Sequence, residues 1–338
     1  MFDYVRKLFG YISEQPTAEQ PTERKEELYD ERESDSSLQG RTTRLHIGYL
    51  SKEEEREAWG MDVPSQKQGF VKDNTDVKHL QKDVPEPGEI QLKKFDLSRI
   101  CSDSIIYIDG RRRAGKSVLA KDIMCNLSKR GVRYGKIFTP YGRYSLTYDP
   151  TYEDFFPYAF IEEYNDKVLD DMIIHQSRRI RRNGGKSDKN NTVVLLDGVM
   201  SNDLLRVSKP LQTLFVQGRC YNICGIITSR HPLSLPPQLR CNIDYAFLFK
   251  TTDDDSMLRK LWENYASIIP TFSMFKKIMD AVTINYPYNC LVIDHTSHSS
   301  ELTDKVFYYD ANIHDNGERF GSEEFWNAAE SSQQSDTP

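Results

Sequence analysis

The sequence predicts an α/β protein with a mostly parallel central sheet flanked by helices. Runs rich in β-branched and aromatic residues recur from about residue 90: SIIYID, KIFTP, TVVLLD, ICGIITS, YAFLFK and NCLVIDH, with KVFYYD as a last candidate. Helical stretches separate them at 116–130, about 165–182, about 202–217, 254–265 and 271–281. Strand and helix alternating at this spacing imply crossovers between parallel strands, with helices on both faces.

The alternation bounds a domain at 88–311, in a chain of 338 residues with room for one large domain or two ordinary ones. Residues 1–87 read as a mobile acidic arm. EQPTAEQPTERKEELYDERESDSS is charged and poor in apolar residues, and KDVPEPGE closes the region with two prolines and a glycine. The first twelve residues differ, because Phe2, Val5, Phe9 and Ile12 share one helical face. They read either as a helix that docks on a partner or membrane surface, or as a plain local helix. Residues 312–338 read as a disordered acidic tail.

Charge divides the chain in the same way. Residues 1–90 carry 13 basic and 20 acidic side chains, 301–338 carry 2 and 9, and 91–300 carry 30 and 22. A core of +8 thus lies between two segments of −7, within a total of −6. A basic core with solvated acidic ends suits a polyanionic partner. No apolar run approaches the 18 or so residues of a membrane-spanning helix, and the N-terminus lacks a signal-peptide layout. Six dispersed cysteines suit a reducing compartment. The expectation is a soluble intracellular protein.

The first strand-like run ends in a motif with chemistry attached. IDGRRRAGKSV matches G-x-x-x-x-G-K-[ST] at Gly110, Gly115, Lys116 and Ser117. Glycines let the backbone turn so that its N–H groups face phosphates. Lys116 is placed to reach the β- and γ-phosphates of ATP, Ser117 to hold Mg²⁺, and the next helix points its positive end at the same anion. The expected nucleotide contacts run through Gly110, Arg111, Arg112, Arg113, Ala114, Gly115, Lys116, Ser117 and Val118. A later GGKS at 184–187 lacks the first glycine and leads into a strand, so it is set aside.

Such a site needs an acid to organise Mg²⁺, and TVVLLDG supplies Asp197 after a buried apolar run. P-loop motors usually place a second acid directly afterwards to activate the attacking water, and here that position is Gly198. Asp203, Glu162 and Glu163 are the substitutes the sequence offers. ICGIITSRH ends in Thr228, Ser229 and Arg230; Thr228 is placed either to meet the γ-phosphate and water or to satisfy a turn. Arg240, between prolines and a strand, is either an arginine finger toward a neighbouring subunit or a surface ion pair. Catalytic roles are therefore expected for Lys116, Asp197, Thr228 and Arg240.

IDGRRRAGKS, FIEEYNDKVLDDMIIHQSRR, VVLLDG, GRCYNICGIITSRHPLSLPPQLRCNIDYAFLF and YNCLVIDH together resemble the genome-packaging ATPases of large eukaryotic DNA viruses. These form the poxvirus-type branch of the FtsK–HerA translocases. The resemblance covers about residues 88–310 and implies a RecA-like P-loop fold, ATP hydrolysis, a homo-oligomeric ring and double-stranded DNA as the cargo moved into a preformed capsid. It implies the host-cell virus assembly site and the virion as locations, with capsid or virion membrane protein as a partner for residues 1–12. Thr228, Ser229 and Arg230 stand where the family commonly has a glutamine sensor. Gly198 departs from the family's acid, which bears on rate rather than on nucleotide binding. A hydrolysis-poor docking protein and a non-packaging translocase are the alternatives.

A sequence-independent motor grips phosphates rather than base edges. In HQSRRIRR, Arg178, Arg181 and Arg182 sit on one helical flank, either as a backbone-tracking patch or as a solvated helix end. Cys220, Cys224, His231 and Cys241 match no common zinc spacing.

Overall fold

The computed structural model describes residues 43–45, 90–147, 149–182, 191–201, 207–250, 254–283, 286, 288–314 and 317–334. Among these, ten strands form one sheet: β1 (Thr43–Leu45), β2 (Ile90–Lys94), β3 (Ile105–Asp109), β4 (Tyr134–Thr139), β5 (Ile161–Glu163), β6 (Thr192–Asp197), β7 (Ile223–Ser229), β8 (Tyr245–Phe249), β9 (Cys290–Asp294) and β10 (Val306–Tyr309). The helices are α1 (Lys116–Lys129), α2 (Asp166–Arg182), α3 (Lys209–Gln217), α4 (Pro237–Arg240), α5 (Asp255–Tyr265), α6 (Phe272–Thr283) and α7 (Glu323–Gln334).

The strand order is β1-β2-β10-β9-β8-β3-β7-β6-β4-β5. From β8 to β5 every pairing is parallel. On the other side β9 runs antiparallel to both β8 and β10, and β2 pairs parallel with β10. The seven expected runs all form strands, and the mostly parallel sheet is as the alternation requires. β2 and β5, short and without a strong apolar pattern, are additions.

Burial on both faces explains why the central runs are apolar almost end to end. Ile105 and Tyr107 of β3 pack with α2, α3, α5 and α6, whereas Ile106 and Ile108 pack with α1. Val194 and Leu196 of β6 divide from Val193 and Leu195 in the same way. Helix starts follow local chemistry. Ser208 caps α3 by accepting from the Leu211 N–H, with Pro210 in the first turn, so this helix begins later than the expected 202. The Asp254 side chain likewise caps α5.

One expectation about the flanks is corrected. Residues 317–334 are not a disordered tail: Phe320 and Phe325 are buried, with Phe320 stacked on Phe156 at 5.2 Å and Phe325 on Phe160 at 4.7 Å. The Phe320 N–H donates to the Phe155 carbonyl and the Ser322 N–H to that of Arg133. Burying two aromatic rings outweighs the cost of ordering an acidic segment whose Glu323, Glu324 and Glu330 stay in solvent. Within 1–87 the described residues are those of β1, antiparallel to β2, which covers one edge of the sheet. Residues 1–12 lie outside the described residues, as do residues 184–187.

Candidate functional site

The carboxyl edge of three adjacent strands builds the site. Register places Asp109 beside Ser229 and Asp197 beside Thr228, so β3, β7 and β6 present these groups in one row. Crevices outside the carboxyl ends of parallel strands are where such folds hold ligands. Gly110 leaves β3 with little room: a Cβ there would stand 3.0 Å from the Phe249 Cβ and 3.2 Å from that of Ala114. Gly115, at φ 98°, caps α1 in the left-handed region that favours glycine. The loop between them carries Arg111, Arg112 and Arg113 exposed and Ala114 buried, with Val118 part-exposed beyond it.

Lys116 is almost buried and donates to the carbonyls of Gly110 and Arg111, both at 2.8 Å. Burial lowers its pKa from the ordinary lysine value; the Asp197 charge opposes this and Arg230 adds to it. Arg230 thus lies near enough to bear on the ammonium, a position the motif itself does not signal.

Asp197 is held from three sides. Its Oδ1 accepts from the Thr228 hydroxyl at 2.5 Å, and its Oδ2 from the Tyr152 hydroxyl at 2.9 Å and Ser117 Oγ at 3.3 Å. Thr228 also accepts from the Gly198 N–H at 2.9 Å, so it positions the aspartate in this structure. Ser229 is a turn group, accepting from the His231 N–H.

Asp149 and Tyr152 were not singled out by sequence, yet both reach this centre. Asp149 Oδ2 accepts from Ser117 Oγ at 3.0 Å, while Oδ1 accepts from the N–H and hydroxyl of Thr151. Two carboxylates therefore converge on the hydroxyl that opens α1. The available signal was Asp-Pro-Thr, a turn-capping pattern. Tyr288 was missed as well: a Cβ on Gly115 would lie 3.8 Å from its exposed ring, which overhangs the loop.

Gly198 has a backbone reason. Its φ of 71° is left-handed, where a glutamate would be strained by about 1–2 kcal/mol. Of the substitutes named from sequence, none touches Ser117 or Asp197 among the described residues, although Glu163 is level with Asp197 two strands away. Glu162 pairs with Lys136 at 2.7 Å, Glu163 stands level with Thr139 on β5, and Asp203 lies outside the described residues. Arg240 bonds Asn264 of α5. Arg178, Arg181 and Arg182 are exposed at the end of α2 that leads to the amino edge of β6, opposite the site.

Asp109 ends β3 with no exposure, accepting from Tyr107 at 3.1 Å, while its Oδ2 has no hydrogen-bond partner among the described residues. Burial raises its pKa from 3.8 to about 7, against the lowering effects of Tyr107 and Lys116. Between these values the folded state keeps a proton that the unfolded state has lost, so stability falls as pH rises through this window. The contribution is at most about 4 kcal/mol. Asp109→Asn is expected to gain stability relative to wild type at pH 8 over pH 5, read by denaturant unfolding.

This row of groups around the start of α1 is the arrangement of the P-loop NTPase fold. The chain is 32% identical over 262 residues to protein 088R of Invertebrate iridescent virus 3, covering 72% of this chain and 94% of that one. It is 30% identical over 239 residues to protein 075L of Invertebrate iridescent virus 6, covering 67% and 88%. The chain belongs to the family of large DNA virus proteins that includes 088R. The genome packaging NTPase B204 of Sulfolobus turreted icosahedral virus 2, solved with ATP-gammaS, is similar over 64% of this chain and 100% of that one, at 15% identity and TM-score 0.45. No family model matches the chain. Among the described residues no helix is long and apolar enough to cross a membrane.

Proposed function

We propose that this protein is a Mg²⁺-dependent ATPase that moves double-stranded viral DNA into a capsid as a homo-oligomeric ring. The observation that carries the ATPase reading is the convergence of Lys116, Ser117, Asp149 and Asp197 at the mouth of a glycine-rich loop. Membership in a family of large DNA virus proteins and the resemblance of the 88–310 motifs to packaging ATPases support the DNA-moving part.

The oxygen-only donors around Ser117 fit Mg²⁺, a hard cation that takes oxygen ligands and would neutralise charge on the β- and γ-phosphates when bound. Ser117 and Asp197 would hold it. Backbone N–H groups of residues 110–117 and the positive end of α1 bind the phosphates. Lys116 exchanges its bonds with Gly110 and Arg111 for phosphate oxygens, and Arg230 adds positive charge beside it. Thr228 and Tyr152 fix the Asp197 carboxylate, and Asp149 accepts the proton of the attacking water in place of an acid at position 198. Arg240 acts across a subunit boundary once released from Asn264. The exposed Arg178, Arg181 and Arg182 track the DNA backbone, remote from the ATP site. Purified protein is expected to hydrolyse ATP faster with long duplex DNA than without it. Slow turnover indifferent to DNA would favour a nucleotide-binding docking protein instead.

A further inference from the structure

We propose that the protein holds a zinc-type metal ion between α1 and the segment leading into α7, with Cys125, His314 and Glu318 as ligands. The proposal is independent of the ATPase reading and uses no residue of the glycine-rich loop. Cys125 Sγ, a ring nitrogen of His314 and a carboxylate oxygen of Glu318 all lie within 4.8 Å of one another. Thiolate, imidazole and carboxylate are the three donor types of zinc sites, and their mixture disfavours magnesium and calcium.

The surroundings are built as an outer shell is. Asp122, one turn before Cys125 on α1 and buried, stands 2.7 Å from His314 Nε2. It is itself fixed by the Tyr309 hydroxyl and the Asn312 N–H, each at 2.8 Å. A histidine that gives Nε2–H to such a carboxylate turns the lone pair of Nδ1 outward, which is how metal-bound histidines are oriented. That Nδ1 faces Glu318 Oε2 at 2.5 Å, and the Cys125 thiol hydrogen-bonds the same carboxylate. Nδ1 and Oε2 at this distance share either a hydrogen or a metal ion. A proton on an imidazolium serves the pair alone; a metal ion serves it and also uses the adjacent thiol. Lys129 bonds the other oxygen, Oε1, at 3.1 Å and holds the carboxylate in place.

Access exists. A cavity of about 260 Å³ borders the cluster, lined in part by Asp122, Asn126, Lys129 and His314. Of the three ligands His314 lines it, so it offers a route for the ion and for a water as fourth ligand, since a tetrahedral site with three protein ligands keeps one open position. Closing around the ion moves the ligand atoms to about 2.0–2.3 Å from it. The Cys125 proton leaves to solvent as the metal–sulfur bond forms. The ion would fasten α1 to the segment that carries Phe320 and Phe325, so its effect is on stability.

Cobalt titration of the full-length, metal-stripped protein tests the site, because cobalt bound to a thiolate gives a charge-transfer absorption. One band saturating at equimolar cobalt is expected, lost in Cys125→Ser and unchanged in Cys220→Ser, which removes an exposed thiol outside the cluster. Asp122→Asn is expected to weaken binding about 10–100-fold while keeping the band. A chelator should lower the Tm of the zinc-loaded wild type and leave that of Cys125→Ser unmoved. No thiolate band in the wild type, or a band that survives Cys125→Ser, would overturn the proposal in favour of an imidazolium between two carboxylates.

Discussion

Lys116→Ala is expected to remove ATP turnover, by about 10²–10³-fold or more, and to weaken nucleotide binding with it. The side chain is nearly buried, and its ammonium now rests on two loop carbonyls at 2.8 Å. Phosphate oxygens are stronger acceptors than these carbonyls, and they restore the charge that burial opposes. No other lysine is in the loop, and Arg111, Arg112 and Arg113 are exposed. The fold should survive, since Leu119, Ala120, Ile123 and Met124 anchor α1. Paired measurements of turnover and of fluorescent-nucleotide binding check this. Wild-type turnover in the variant would remove the site assignment.

The second large effect separates chemistry from binding. Asp149→Asn should lower kcat by about 10²–10⁴-fold and leave nucleotide affinity within a few-fold. An amide keeps the oxygen that accepts from Ser117, so the local geometry is retained while the proton acceptor is lost. Asp197→Asn would instead disturb the cation as well. If Asp149→Asn turns over at the wild-type rate, the water-activating role passes to another carboxylate. Glu163, two strands from Asp197 and level with it by register, is then the next residue to replace.

Half of this centre was legible in the sequence because its requirements are local. A glycine-rich turn, a lysine and a serine must be adjacent to cradle phosphate, and an acid after an apolar run must lie at a strand end. Asp149 and Tyr152 escaped because PYGRYSLTYDPTYEDFFPY has no helical or strand period. Gly142–Thr147 and Pro150–Tyr152 form short 3-10 turns, and the burial of Tyr152, Phe155 and Phe156 that pins this region is a tertiary effect. The glycine at 198 read as a missing acid, but its left-handed backbone was invisible. The acidic tail misled in the opposite direction. Counting its charges predicted disorder, whereas Phe320 and Phe325 were the residues that decided the outcome.

If ATP drives movement along duplex DNA, the protein will displace a triplex-forming strand from a linear duplex. Wild-type protein with ATP and Mg²⁺ should release the third strand at a rate that rises with protein, while ADP or Lys116→Ala should leave it bound. DNA-stimulated hydrolysis without any release of the third strand would mean that the protein does not move along duplex DNA.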